Sequence, residues 1–276
     1  MRSKGVIIVM TATGLLVFLA FVIPPDYEGS CAPFSYDESR SSRWGSIPCK
    51  RGVINQCAES HGQSPINLET SDENQDATED GDVSMVVVVD EGSCHDLTVV
   101  SNQLHYDAQQ SCGPSISLAS QEYRLLQIHF HVGGSEHTID DARFGGEIHL
   151  VHRGEAGSIA VVGVLLDTSQ DEENEEFEKL LQLLYEEAGR RLENDGNAWN
   201  PYNLVPSLDT YFAYKGSLTT PPCTSGIRWI VVQEPLVLSE NQLQRLEGLS
   251  PSIPTYRPVQ ARAGRKVVLY SSNNEG

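Results

Sequence analysis

Positive charge is what this chain has least of: 19 Lys and Arg stand against 38 Asp and Glu in 276 residues, a formal net charge of −19. Such acidity disfavours nucleic acid as a partner, because its phosphates need basic neutralisation. Much of the excess sits in two runs, Glu69 to Asp82 and Asp167 to Glu178, which read as a solvated loop and a solvated helix start. No Pro/Ser-rich hinge, internal repeat or further low-complexity block divides the chain, and this favours one domain over two. The cysteines lack the paired short CxxC spacing of thiolate zinc sites. No HExxH helix and no GxSxG turn is present, which removes two common hydrolase routes. No Asn-X-Ser/Thr sequon occurs, so N-glycosylation is not expected.

Long apolar runs are scarce too. The one that stands out, Val6 to Ile23, follows Arg2 and Lys4 and stops at Pro24-Pro25. Two readings stay open for residues 1–25: a cleaved secretory signal, or an uncleaved signal anchor attaching the chain through residues 6–23, nearly long enough to cross a bilayer. Both send the remainder into the secretory pathway, to the exterior, the cell surface or an organelle lumen, as a type II membrane protein in the anchored case. Six cysteines (Cys31, Cys49, Cys57, Cys94, Cys112, Cys223) are an even set, which in that setting favours disulfides.

What the chain does have is a histidine cluster. Gln127-Ile128-His129-Phe130-His131 is followed by Glu147-Ile148-His149, and both segments read as strands. Side chains two apart on a strand share a face, so His129 and His131 project together, and His149 completes the set from a neighbouring strand. Three imidazoles hold Zn²⁺ and leave a fourth position for water, whereas a structural site is normally closed by four protein ligands.

Beyond the histidines, the chain resembles the α-class carbonic anhydrases of the extracytoplasmic type. The resemblance rests on QSPIN (Gln63 to Asn67), QIHFH, GSEHTID (Gly134 to Asp140), EIHLVH and YKGSLTTPP (Tyr214 to Pro222), and runs from about Trp44 to about Val268. It implies zinc on His129, His131 and His149, with Gln127 and Glu147 orienting His129 and His149. The implied reaction is reversible hydration of carbon dioxide to bicarbonate and a proton through zinc-bound hydroxide. Thr219 would accept from that hydroxide and pass its own hydroxyl proton to Glu136. Thr220 would contact bicarbonate or inhibitors, sulfonamides and anions among them, and Val151, Val161, Leu218 and Trp229 would wall the site for a small apolar substrate.

Two departures stand against the family pattern. The proton-shuttle position falls on Leu104, and His105 lies one place later, where a one-residue shift on a strand turns the side chain to the other face. His105 is the candidate shuttle, and turnover limited by weak buffer and rescued by imidazole is expected. Ser46 replaces the tyrosine that often follows Trp-Gly. Extracellular relatives imply a Cys57–Cys223 disulfide. Cys94 and Cys112 flank a strand pair expected to fold as a hairpin, and Cys31 with Cys49 remain.

The expected fold is mainly β, one large, twisted, mostly antiparallel sheet with a conical cavity. Strands are expected at Ser84 to Val89, Leu97 to Val100, Ser115 to Leu118, Arg124 to Val132, Gly146 to His152, Ile159 to Leu166, Tyr211 to Tyr214, Ile227 to Val232 and Lys266 to Leu269. Helices are expected over Glu175 to Arg191, with an apolar face at Phe177, Leu180, Leu181 and Leu184, and after a Ser239/Gln242 capping box up to Gly248. The domain plan is residues 26–43 as an N-terminal extension, 44–270 as the catalytic domain and 271–276 as a tail. The rivals are another zinc hydrolase, a metal-free binding domain of the same fold, and an added mineral-binding role for the acidic runs.

Overall fold

A computed structural model describes residues 31–37, 41–72, 86–90, 97–100, 103–106, 115–186, 191–192, 199–250 and 253–272. In chain order its strands are β1 (Asn67–Leu68), β2 (Val87–Asp90), β3 (Leu97–Val100), β4 (Gln103–Tyr106), β5 (Ser115–Leu118), β6 (Gln121–Val132), β7 (Thr138–Ile139) and β8 (Ala142–Arg143). There follow β9 (Gly146–Arg153), β10 (Ile159–Asp167), β11 (Arg191–Leu192), β12 (Thr210–Ser217), β13 (Ser225–Val232), β14 (Leu236–Val237) and β15 (Val267–Ser271). Two α-helices are described, α1 (Glu175–Glu186) and α2 (Glu240–Gly248). The main sheet runs β11-β3-β4-β6-β9-β10-β13-β12-β15, with β2, β5 and β14 off that path. Most of its pairs are antiparallel; β10 lies parallel to β13 and to β14.

The central strands are covered on both sides, so alternation sorts side chains between two interiors rather than between core and water. Ile128, Phe130, Val132, Ile148, Leu150, Val162 and Val164 enter one apolar cluster with Phe177, Leu180, Leu181 and Leu184 of α1. Val151, Val161, Leu165, Phe212, Tyr214, Trp229 and Val231 enter a second. The capping box forms at α2: Ser239 Oγ accepts the Gln242 N–H at 3.2 Å, and Gln242 Oε1 accepts the Ser239 N–H at 3.3 Å.

One helix is shorter than its sequence predicts. α1 is described to Glu186, and Arg191, expected at its end, lies instead in β11, paired with Thr98; Gly189, a poor helix residue, falls between those positions in the sequence. The expected hairpin is present as β3 against β4, with Leu97 opposite Tyr106, but Cys94 and Cys112 lie outside the described residues. Disulfides join Cys57 to Cys223 and Cys31 to Cys49, in keeping with an oxidising compartment. Among the described residues no helix is long and apolar enough to cross a membrane; residues 6–23 lie outside them.

Candidate metal centre

β6 and β9 set His129 opposite His149 and His131 opposite Glu147. Directly opposed residues share a face, so the row Gln127, His129, His131 meets the row Glu147, His149, Val151. The three imidazole centroids are 5.2, 5.0 and 4.5 Å apart, and one nitrogen from each lies within 4.8 Å of the others. His129 Nε2 and His149 Nδ1 are 3.2 Å apart. His131 contributes Nε2, because its Nδ1 lies 2.6 Å from the Thr255 carbonyl oxygen, which can only accept. The outer nitrogen of His149, Nε2, faces Glu147 Oε1 at 2.9 Å.

Burial lowers the pKa of His131, against an opposing pull from the Glu136 carboxylate; the ring is thus held neutral, the form that binds metal. Burial pushes Glu147 upward, but the charges and hydrogen bonds of His137 and His149 outweigh it and hold the carboxyl well below its ordinary range. His137, Glu147 and His149 also cluster closely enough to suggest a metal. Pairwise hydrogen bonds of 2.8 and 2.9 Å onto Glu147 Oε1 account for that grouping. His129, His131 and His149, with their inner nitrogens convergent and the outer ones of His131 and His149 tied, fit a zinc ion in chemistry and number.

Glu136 is wholly buried beside this set. Its Oε1 accepts the Arg257 N–H at 2.8 Å, and its Oε2 lies 3.3 Å from His131 Nε2. Burial brings the Arg257 guanidinium down to about 10, partly countered by Glu136, and it is anchored on Gln63 Oε1, the Ser64 carbonyl and the Cys57 carbonyl. Thr219 and Thr220 are buried in a turn closed by Cys223 N–H to the Thr220 carbonyl (2.7 Å) and by the Cys57–Cys223 bridge. Val151, Val161 and Trp229 stand in one row across β9, β10 and β13, with Leu218 packed against their cluster. Gln127 is buried at the position opposite Val151.

The register also bears on the shuttle candidate. Position 105 pairs with Gln127 and position 104 with Ile128, which puts 105, not 104, in line with the ligand row. Ser46 is exposed on a short 3₁₀ turn, and a tyrosine ten residues earlier lies close enough to feel the charge of Glu136. Tyr36 is buried edge-on against Trp44 (5.4 Å) and Phe34 (5.7 Å). Burial first, and the Glu136 charge next, raise its pKa. Thr255, Arg257 and Tyr36 carried no sequence signal, because each acts through a tertiary contact far from the histidine motifs. His137 stood within the histidine cluster, next to Glu136, and its neighbours alone gave it no role.

The family model described as eukaryotic-type carbonic anhydrase matches residues 40–271. Carbonic anhydrase 1 of Mus musculus is 30% identical over 260 residues, 82% of this chain and 98% of that protein. Carbonic anhydrase 3 of Rattus norvegicus is 34% identical over 76% of this chain and 90% of its own length. Among solved structures, the α-carbonic anhydrase of Thermovibrio ammonificans, in complex with the inhibitor sulfanilamide, superposes with a TM-score of 0.69 at 29% identity, covering 86% of this chain and 99% of that one. Carbonic anhydrase Cah3 of Chlamydomonas reinhardtii, in complex with acetazolamide, gives 0.62 at 28% identity, covering 78% and 92%.

Proposed function

The chain belongs to the eukaryotic-type carbonic anhydrase family, and on that premise we propose that it hydrates carbon dioxide reversibly with zinc held by His129, His131 and His149. Its activity is that of a carbonate dehydratase. The observation that carries the metal assignment is the convergence of three imidazole nitrogens within 4.8 Å while the outer nitrogens of His131 and His149 are tied elsewhere.

Zinc bound there supplies a Lewis acid that brings the deprotonation of water down to about pH 7. Thr219 donates its hydroxyl proton to Glu136 Oε2, an oxygen that accepts no hydrogen bond among the described residues. That leaves the Thr219 lone pairs to receive the proton of the attacking oxygen and so to fix its direction. Arg257, through its backbone N–H on Oε1, keeps the carboxylate turned toward this task. Carbon dioxide is small and uncharged, and it rests against Val151, Val161, Leu218 and Trp229, which offer apolar contact without a competing charge. Thr220 contacts bicarbonate. Sulfonamides and inorganic anions would compete for the same space. His105 passes the product proton outward, a role its register opposite Gln127 favours.

The catalytic domain spans 44–270, with 26–43 as an extension and 271–276 as a tail. Residues 1–25 direct the chain into the secretory pathway as a cleaved signal or as an anchor, a destination in keeping with its two disulfides. The test is stopped-flow carbon dioxide hydration by oxidised, zinc-loaded protein, with a His131→Ala control and a sulfonamide titration. Fast hydration lost in both controls is expected, together with a rate that rises with buffer concentration in the low millimolar range. Zinc bound without hydration would overturn the assignment.

A further inference from the structure

Behind His149 the buried polar atoms form one continuous hydrogen-bonded chain. Glu147 Oε1 lies 2.9 Å from His149 Nε2 and 2.8 Å from His137 Nδ1, and Oε2 accepts the His137 backbone N–H at 2.8 Å. His137 Nε2 meets the Tyr214 hydroxyl at 2.7 Å, and that hydroxyl meets Ser64 Oγ at 2.8 Å. Ser64 and Ser217 then clasp each other. The Ser217 N–H donates to Ser64 Oγ at 3.1 Å, and the Ser64 N–H donates to Ser217 Oγ at 2.9 Å.

We infer that Tyr214 and Ser64 are positioning residues, which fix the tautomer and ring direction of His149 from outside the metal centre and fasten that ligand to the turn carrying Thr219 and Thr220. The inference rests on the reading of His149 as a metal ligand. The inventory of donors gives each link its direction. An ionised carboxylate only accepts, so both imidazoles turn an N–H toward Glu147. With its ring proton placed on Nδ1, His137 keeps a lone pair at Nε2, which takes the Tyr214 O–H. The Tyr214 oxygen then accepts from the Ser64 hydroxyl, while the Ser217 hydroxyl is used on the Leu218 carbonyl at 2.8 Å.

The packing around the chain is built to the same end. Two glycines stand where a side chain would block it: a Cβ at Gly163 would lie 2.8 Å from Glu147 Oε1, and one at Gly216 would lie 2.1 Å from Ser64 Oγ. Trp229 braces both ends. Its ring meets His149 at 4.9 Å and His137 at 4.8 Å, and its Nε1–H donates to the Ser217 carbonyl at 3.0 Å. A rotation of His149 would therefore be felt at Ser217, two residues before Thr219.

The test uses full-length, oxidised protein as wild type, Tyr214→Phe, Ser64→Ala and the double variant, each checked for folding by thermal unfolding. Nitrogen-15 shifts of His137 in metal-free wild type read the tautomer, transfer of zinc to a chelator reads the release rate, and hydration kinetics separate kcat from KM. We expect His137 protonated on Nδ1 alone. Tyr214→Phe should release zinc about tenfold faster, by analogy with partners that hold ligands directly, and lower kcat more than it changes KM. Ser64→Ala should do less, and should add nothing once Tyr214→Phe is present, because its effect travels through that hydroxyl. Additive effects, unchanged release in both variants, or a proton on His137 Nε2 would each overturn the inference. Wild type that fails to bind zinc would instead overturn the ligand reading, with the His137 tautomer still deciding the chain by itself.

Discussion

The two faces of β6 and β9 carry opposite chemistry on the same backbone. One holds Gln127, His129, His131, Glu147 and His149; the other, one residue out of step, holds Ile128, Phe130, Val132, Ile148 and Leu150. Exposure distinguishes them little: Ile128, Ile148, Leu150, His131 and Glu147 are all at 0%, His149 is at 1%, and of the ten only His129 is partly exposed. They differ in how each residue's burial is made tolerable. The apolar face gains by leaving water, at about 25 cal/mol per Å². The polar face is tolerable because its groups answer one another: His131 on Thr255, His149 on Glu147, Glu136 on Arg257. Stability and chemistry are thus divided between even and odd positions, and a pleat keeps them apart.

The largest expected effect comes from changing neighbours on opposite faces. His149→Ala should cost hydration activity on the order of 10³-fold or more, because losing a Lewis acid forfeits several kcal/mol of barrier lowering. Leu150→Ala should cost about 2–5 kcal/mol of stability while activity per folded molecule stays within a few-fold. Urea unfolding of the metal-free proteins beside hydration rates of the zinc-loaded ones would check this. Similar profiles for the two variants would break the comparison.

His152 is the polar exception on the apolar face, and it sharpens the contrast. Its Nε2 meets the Tyr202 hydroxyl at 2.6 Å, the rings are stacked, and burial takes its pKa down to about 3. The sign follows from proton counting. Between about pH 6.5 and about 3 the unfolded chain binds a proton at this residue that the folded chain does not, so stability falls as pH falls through that window. At most this slope is about 1.4 kcal/mol per pH unit. His152→Gln should remove it, making metal-free protein lose less stability than wild type between pH 6 and 4. Parallel acid limbs in urea titrations would count against a neutral, buried His152.

Much of this was legible in the sequence, and the failures share a cause. Period-two alternation in QIHFH and EIHLVH places the ligands on one face, and Ser239 with Gln242 marks the start of α2, because both signals are local. Tyr36 was invisible: a tyrosine was sought beside Trp-Gly at Ser46, while Tyr36, ten residues upstream, is held edge-on against Trp44 by a tertiary contact. Thr255 was invisible because it acts through a backbone carbonyl, which every residue has. His105 pairs with Gln127, which its own segment could not reveal, since a register is a relation between two segments that neither one carries alone. The overlong α1 reflects an apolar stripe, Phe177 to Leu184, that marks the buried face of a helix but not the change to β11 by Arg191.

A third surface, belonging to neither face, supplies the smallest effect. Arg245 of α2 reaches Glu178 of α1 through two bonds of 2.7 and 3.0 Å, and its carbonyl accepts the Tyr185 hydroxyl at 2.8 Å. Both charged side chains are about one-third exposed, at 36% and 35%, so water screens their attraction and much of the gain is spent holding two long side chains still. The paired geometry raises the pair above a casual surface contact, but only within the range of about 0.2–1 kcal/mol measured for exposed pairs. Arg245→Met keeps the aliphatic stem against Tyr185 and removes the charge. It should lower the urea midpoint by an amount in that range, less so at high salt, and leave hydration kinetics unchanged. A kinetic change would mean that the helices over the apolar face do reach the metal face, and that the pleat insulates the two less well than their burial suggests.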